Sequence, residues 1–196
     1  MASLYAAIPS AGETIDVEMG EVKVSSCLTD TLMAYGLGAC VGVCVYDPIL
    51  RIAGLAHIVL PEYQAVSPNS NKERPQIAPG KFADSAIPFL IEEICRHGGE
   101  EHNLRATIVG GAHIFSPGAA TGGAVSRLEI GQRNTAAVVK ALERRGVTLL
   151  ASDVGGCHGR TVQLRVSDGT VTVQPIGGLV TVLANLGRDR DIVSTA

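Results

Sequence analysis

An α+β fold is what the sequence predicts, and three observations predict it. Strand-length apolar runs follow one another in pairs joined by short turn signals instead of alternating with helices. Only two stretches show helical spacing, against seven or more that read as strands. Twenty-three glycines punctuate short elements. At 196 residues and 46% hydrophobic content the chain is expected to form one domain over residues 1–196. Its core must be built from Val, Ile, Leu and Ala, since only 4% of residues are aromatic and none is tryptophan.

The elements follow in order. Val17 to Val24 alternates weakly and reads as one strand, with Val17 and Met19 out of phase with Val22 and Val24, so Gly20 is expected to mark a bulge. Ala39 to Tyr46 and Arg51 to Leu60 are nearly unbroken apolar runs around the turn signal Asp47-Pro48-Ile49-Leu50, which predicts an antiparallel hairpin. Counting outward from a turn centre near residues 48 and 49 sets Cys40 opposite His57 to within about a residue. Residues 62–80 are a long polar loop rich in Pro, Ser and Asn.

A first helix is predicted by Phe82, Ala83, Ala86, Ile87, Leu90, Ile91 and Ile94, with Gly98-Gly99 as its stop and Pro88 as a kink or late start. Arg105 to Ile114 reads as a strand interrupted by Gly110-Gly111. A second helix is expected from Asn134, as N-cap, to Arg144-Arg145-Gly146. Thr148 to Ser152 is a further strand, and the alternation around Val162, Leu164 and Val166 turns at Ser167-Asp168-Gly169 into Val171 and Val173. Residues 177–196 form a C-terminal extension in which Leu179, Val180, Val182, Leu183 and Leu186 are expected to make a short helix, with no role assigned to it.

Charge and composition exclude several classes. A net charge of -3 with mixed signs offers no basic stripe for a phosphate backbone, so nucleic acid is not an expected partner. Met1 to Ile8 lacks the layout of a signal peptide, and no apolar run approaches the ~20 residues a membrane span needs. Five scattered cysteines, Cys27, Cys40, Cys44, Cys95 and Cys157, are not a disulfide framework. A cytoplasmic protein with free thiols and no membrane insertion is expected.

Cys40 and His57 are the residues that carry chemistry. A thiol and an imidazole held by one hairpin make a nucleophile and its base, and N–H groups around Gly38 to Val41 would face an oxyanion. Taken alone, each has a plainer reading, Cys40 as a small buried hydrophobe and His57 as a hydrogen-bonded core histidine. Cys44 reads as core. His113, His158 and Cys157 would be the further members of any metal set, but the one pair at ligand-like spacing, Cys40 and Cys44, would stand roughly 13 Å apart on an extended strand. No metal and no organic cofactor is expected.

Six blocks then carry a resemblance. They are Gly36-Leu37-Gly38-Ala39-Cys40-Val41, Ala56-His57-Ile58-Val59-Leu60-Pro61, Lys81-Phe82-Ala83-Asp84, Gly110-Gly111-Ala112-His113-Ile114-Phe115, Ile130-Gly131-Gln132-Arg133-Asn134, and Asp153-Val154-Gly155-Gly156-Cys157-His158-Gly159-Arg160. In this order they resemble the CheD family of chemoreceptor glutamine deamidases, over roughly residues 15–176. The resemblance implies a layered α/β/β sandwich and hydrolysis of glutamine side-chain amides on methyl-accepting chemotaxis receptors, with Cys40 as nucleophile and His57 as base. It also implies receptor cytoplasmic helices as partner, and a CheC-type phosphatase as a second one.

Two departures stand out. Ala39 replaces a serine common before the cysteine, and Ala34 replaces the threonine that completes the family's catalytic set. Thr31 is then carried as a candidate orienting group, and Gly38 and Ala39 as candidate oxyanion support. Ala34 also motivates an alternative, a catalytically weakened module that docks receptors or the phosphatase.

Overall fold

A computed structural model describes residues 12–63, 78–113 and 124–188. Among them, two five-stranded sheets and two helices form an α+β sandwich. The strands are β1 (Thr14–Asp16), β2 (Val22–Ser25), β3 (Thr31–Leu37), β4 (Val41–Asp47), β5 (Ile52–Ile58), β6 (Arg105–Gly110), β7 (Thr148–Val154), β8 (Arg160–Arg165), β9 (Thr170–Pro175) and β10 (Thr181–Asn185). The helices are α1 (Ala83–Arg96) and α2 (Ala124–Arg144). One sheet runs β1-β3-β8-β9-β10 and the other β2-β5-β4-β6-β7.

The unbroken apolar runs are explained by burial on both sides, which removes the usual alternation with polar residues. Val41, Val43 and Val45 pack with Ala56 and Ile58 against Ile87, Leu90, Ile91 and Ile94 of α1 and Val138 and Leu142 of α2. Cys44, Tyr46, Ala53 and Leu55 face the other way, toward Leu32, Ala34, Leu37, Val162 and Leu164 of the second sheet. The layers are therefore helices, sheet, sheet. The Tyr46 hydroxyl crosses the inner layer to donate to the Val166 carbonyl at 2.9 Å.

The β4–β5 hairpin forms, with a register shifted from the expected one. Asp47 pairs with Ile52, Val41 with Ile58 and Gly42 with His57. The turn is centred one position later than the sequence count assumed, and each such step moves the pairing by two residues. Because side chains alternate with period two, Cys40 stays on the His57 face. The late turn is fixed by Asp47, whose Oδ1 accepts from the N–H groups of Ile49 (2.9 Å) and Leu50 (3.0 Å) and whose Oδ2 accepts from Glu100 N–H at 3.0 Å. Asp47 is fully buried. Asp47→Ala strands these donors and is expected to cost about 2–4 kcal/mol, which urea denaturation at unchanged m-value measures.

Other expectations are corrected as well. Val17 to Val24 is not one bulged strand: Gly20, at φ +82°, turns the chain, and β1 and β2 join different sheets. Asn134 is not an N-cap, because α2 begins ten residues earlier and Asn134 is a fully buried residue in its interior. The C-terminal extension is not helical over 181–185; β10 pairs antiparallel with β9. Pro88 lies inside α1, which begins at Ala83 and so does not start late. The expected strand to Ile114 is also corrected: β6 ends at Gly110, where φ is +116°, and Gly111 to His113 are not strand, while Ile114 lies outside the described residues, as do most of the 62–80 loop, Met1 to Ile8 and residues 189–196. No helix among the described residues is long and apolar enough to cross a membrane.

Candidate active site

Cys40 sits one residue before β4, in a segment whose carbonyls are all engaged. Gly38 O accepts from Ala112 N–H at 2.7 Å and Cys40 O from Gly111 N–H at 2.8 Å. The carbonyl between them, on Ala39, accepts from the Asn134 side-chain amide at 2.8 Å. Gly110 makes the close approach possible: a Cβ there would lie 2.2 Å from the Cys40 carbonyl oxygen, and its φ of +116° suits glycine alone. The opposing helix comes equally near, since a Cβ on Gly131 would lie 2.5 Å from Gly111 O. The Gly-Gly and Ile-Gly-Gln-Arg-Asn blocks are thus the mould around the cysteine segment.

His57, 3% exposed, is held from three sides. Its backbone N–H donates to Glu21 O at 3.0 Å and its carbonyl accepts from Gly20 N–H at 2.8 Å. Its ring Nδ1 lies 3.2 Å from the Val17 carbonyl oxygen. A carbonyl only accepts, so Nδ1 carries the proton and Nε2 presents its lone pair. Nε2 is buried and without a hydrogen-bond partner.

Gly42 pairs with His57, so Cys40 is the diagonal neighbour on the same face, where Cβ atoms stand about 7–8 Å apart and an imidazole can reach across. Between them Gly42 carries no side chain, and Leu37 and Val162 fill that space: a Cβ would meet Leu37 Cδ1 at 2.8 Å. In this conformation Nε2 makes no hydrogen bond, including none to the thiol. Unliganded sites often hold such a pair apart until substrate is bound.

Burial sets both protonation states. It pushes the Cys40 thiol up, with the residue's own backbone N–H acting in the opposite direction. It pushes the His57 imidazole down, with the Val17 carbonyl opposing. Both shifts favour the uncharged forms, thiol and imidazole. Cys44, wholly buried, is pushed up to about 12 and is a core residue.

An open cleft of about 370 Å³ leads to His57, lined by Asp16, Val17, Glu18, Met19 and Tyr35. Met19 and Tyr35 are exposed there.

The other candidates fall as follows. Gly38 and Ala39 hold the cysteine segment through their carbonyls. Thr31 is not brought to His57: it lies four residues down β3 from Tyr35, about 13 Å along the strand, and pairs with Thr14 and Arg165. Ala34 is fully buried between the sheets. The group on the imidazole is instead the Val17 carbonyl, which has no sequence signature. Cys157 and His158 are neighbours, Sγ to Nδ1 3.3 Å, while His113 N–H donates to Gly156 O. Among the described residues no three His, Cys, Asp or Glu side chains converge as metal ligands. All five cysteines are free thiols.

The half-buried Cys40 and the buried, oriented His57 both lie on the inner face of an α/β/β sandwich. The chain belongs to the CheD family, whose description, CheD chemotactic sensory transduction, matches residues 60–175. It is 41% identical over 162 residues to a probable chemoreceptor glutamine deamidase CheD of Desulfitobacterium hafniense, covering 83% of this chain and 93% of that one. It is 39% identical over 171 residues to the protein of the same name from Desulforamulus reducens (86% and 95% covered), and 38% over 161 residues to that of Symbiobacterium thermophilum (82% and 92%). Among solved structures, the Bacillus licheniformis hypothetical protein YfiH aligns at a TM-score of 0.36 and 15% identity over 68% of this chain and 51% of that one, a likeness that carries no argument.

Proposed function

We propose that this chain deamidates selected glutamine side chains of chemotaxis receptors, with Cys40 as nucleophile and His57 as general base. One observation carries the reading: the Val17 carbonyl holds His57 so that Nε2, buried and unpartnered, lies on the sheet face that bears the Cys40 thiol. The names of the relatives supply the substrate class.

The chemistry follows from the neutral pair. His57 Nε2 takes the Sγ proton as sulfur attacks the amide carbon, and the carbonyl oxygen becomes an oxyanion within reach of the Cys40 N–H. The imidazolium returns that proton to the departing nitrogen, so ammonia leaves and a thioester remains. His57 then takes a proton from water, which attacks the thioester and restores the thiol as glutamate departs. The Val17 carbonyl keeps the proton on Nδ1 and stabilises the imidazolium at each stage. Receptor cytoplasmic helices, and a CheC-type phosphatase as a competing partner, belong to the same proposal. Ala34 does not favour the weakened-module alternative, because the orienting contact comes from Val17.

Ammonia release from a receptor cytoplasmic segment tests the function, and its pH profile tests the pair. A neutral pair loses activity only as His57 protonates, so kcat/KM should fall below about pH 6.5 and hold up to about pH 9. A resting thiolate–imidazolium pair would instead lose activity between about pH 7.5 and 9 as its imidazolium deprotonates. That loss, or no ammonia at any pH, contradicts the proposal.

A further inference from the structure

Asn134 lies inside α2, fully buried, yet its side chain is used by neither that helix nor its neighbours in sequence. Its Nδ2 donates to Ala39 O at 2.8 Å and to Val59 O at 2.9 Å. The β4–β5 register, continued by one pair beyond Val41 and Ile58, places Cys40 opposite Val59. The Asn134 amide therefore spans the open end of the catalytic hairpin and supplies donors where the ladder has stopped. The reversed orientation would aim Oδ1 at two carbonyl oxygens, so the amide has one way to sit. Its Oδ1 is left buried without a partner, an arrangement that carries a desolvation cost. A residue kept for packing alone would carry no such cost.

The Ala39 carbonyl shares a peptide plane with the Cys40 N–H. No cis bond occurs among the described residues, and in a trans peptide the carbonyl and the N–H point in opposite directions. Drawing the carbonyl toward α2 therefore turns the Cys40 N–H away from the helix, and the donated bond polarises that N–H further. We infer that Asn134 is a positioning residue that aims and strengthens the Cys40 backbone N–H as the oxyanion donor of the deamidation reaction. The inference rests on the proposed function and adds to it the residue that builds the oxyanion site.

The test compares wild type, Asn134→Leu, Asn134→Asp and Cys40→Ala in ammonia release, and measures Cys40 alkylation by iodoacetamide. Alkylation is a direct displacement with no tetrahedral oxyanion, so it reports the thiol without the donor. It is read on the Cys40 peptide by mass spectrometry because Cys27, Cys95 and Cys157 are also exposed. Both Asn134 variants should lose about 10–100-fold in kcat, with KM and the Cys40 alkylation rate within about threefold of wild type. Leucine and aspartate perturb the pocket in different ways, so an equal kcat loss points to the missing donors. A kcat within about twofold of wild type in a folded variant overturns the inference, and so does alkylation that falls in step with kcat. Failure of both variants to fold would make the contact structural and overturn it too. If wild type releases no more ammonia than Cys40→Ala, the functional reading fails, and the inference with it.

Discussion

The Cys40→Ala protein is expected to release no ammonia above background from a receptor segment, a loss of about 10⁵–10⁶-fold, while keeping its fold. Alanine removes the only atom that forms the covalent intermediate. It leaves intact the bonds that shape the segment, because those at Gly38, Ala39 and Cys40 are all to backbone carbonyls. Cys40 is only half-buried at the edge of the inter-sheet core, so truncation should cost little stability. Unaltered thermal unfolding together with abolished turnover would separate chemistry from folding. Cys44 cannot substitute: it is buried and held as a thiol well above neutral pH.

The His57→Gln protein is expected to lose about 10³–10⁴-fold in kcat and to change its pH dependence. With no base, attack must wait for spontaneous ionisation of a thiol that burial holds above its usual value near 8.5. The residual rate should therefore climb with pH through the range where wild type is flat. Stability supplies a second readout. The native state holds His57 neutral and its pKa low, so below about pH 6.5 the unfolded chain binds a proton that the native chain resists. Wild type should lose stability as pH falls through the folded-state value, and His57→Gln should lose less. Melting temperatures of both proteins across pH 4–8 measure the difference; parallel curves would contradict a buried neutral imidazole.

Much of the architecture was legible because burial leaves period and composition behind. The apolar runs of β4 and β5 and the face of α1 all appear where the residues place them. The hairpin register differs from the expected one by two residues, a shift that preserves the face, so Cys40 and His57 still lie on the same side of the sheet. The part of α2 before Asn134 was hidden by Gly131, Gln132 and Arg133, which interrupt an apolar period. Gly131 is there because the helix touches the Gly111 carbonyl, a tertiary reason that no local pattern announces. The turn at Gly20 that carries the chain from β1 of one sheet to β2 of the other is of the same kind.

At the site, Cys40 and His57 could be singled out as candidates from sequence, and the groups that hold them could not. Val17 acts through a carbonyl that every residue possesses, and Asn134 acts on Ala39 and Val59 across 95 and 75 positions of sequence. The sequence therefore pointed to a missing hydroxyl at Ala34, whereas the fold supplies a backbone oxygen. An asparagine at the head of a helical stretch with apolar spacing, Ala137, Val138, Ala141 and Leu142, looks like a cap until its partners are seen.

The proposed deamidation by Cys40 and His57 is tested by tandem mass spectrometry of a receptor cytoplasmic segment incubated with wild type or with Cys40→Ala. Particular glutamines should become glutamate with wild type and stay unchanged with Cys40→Ala; no conversion by wild type, or equal conversion by both, would overturn the assignment.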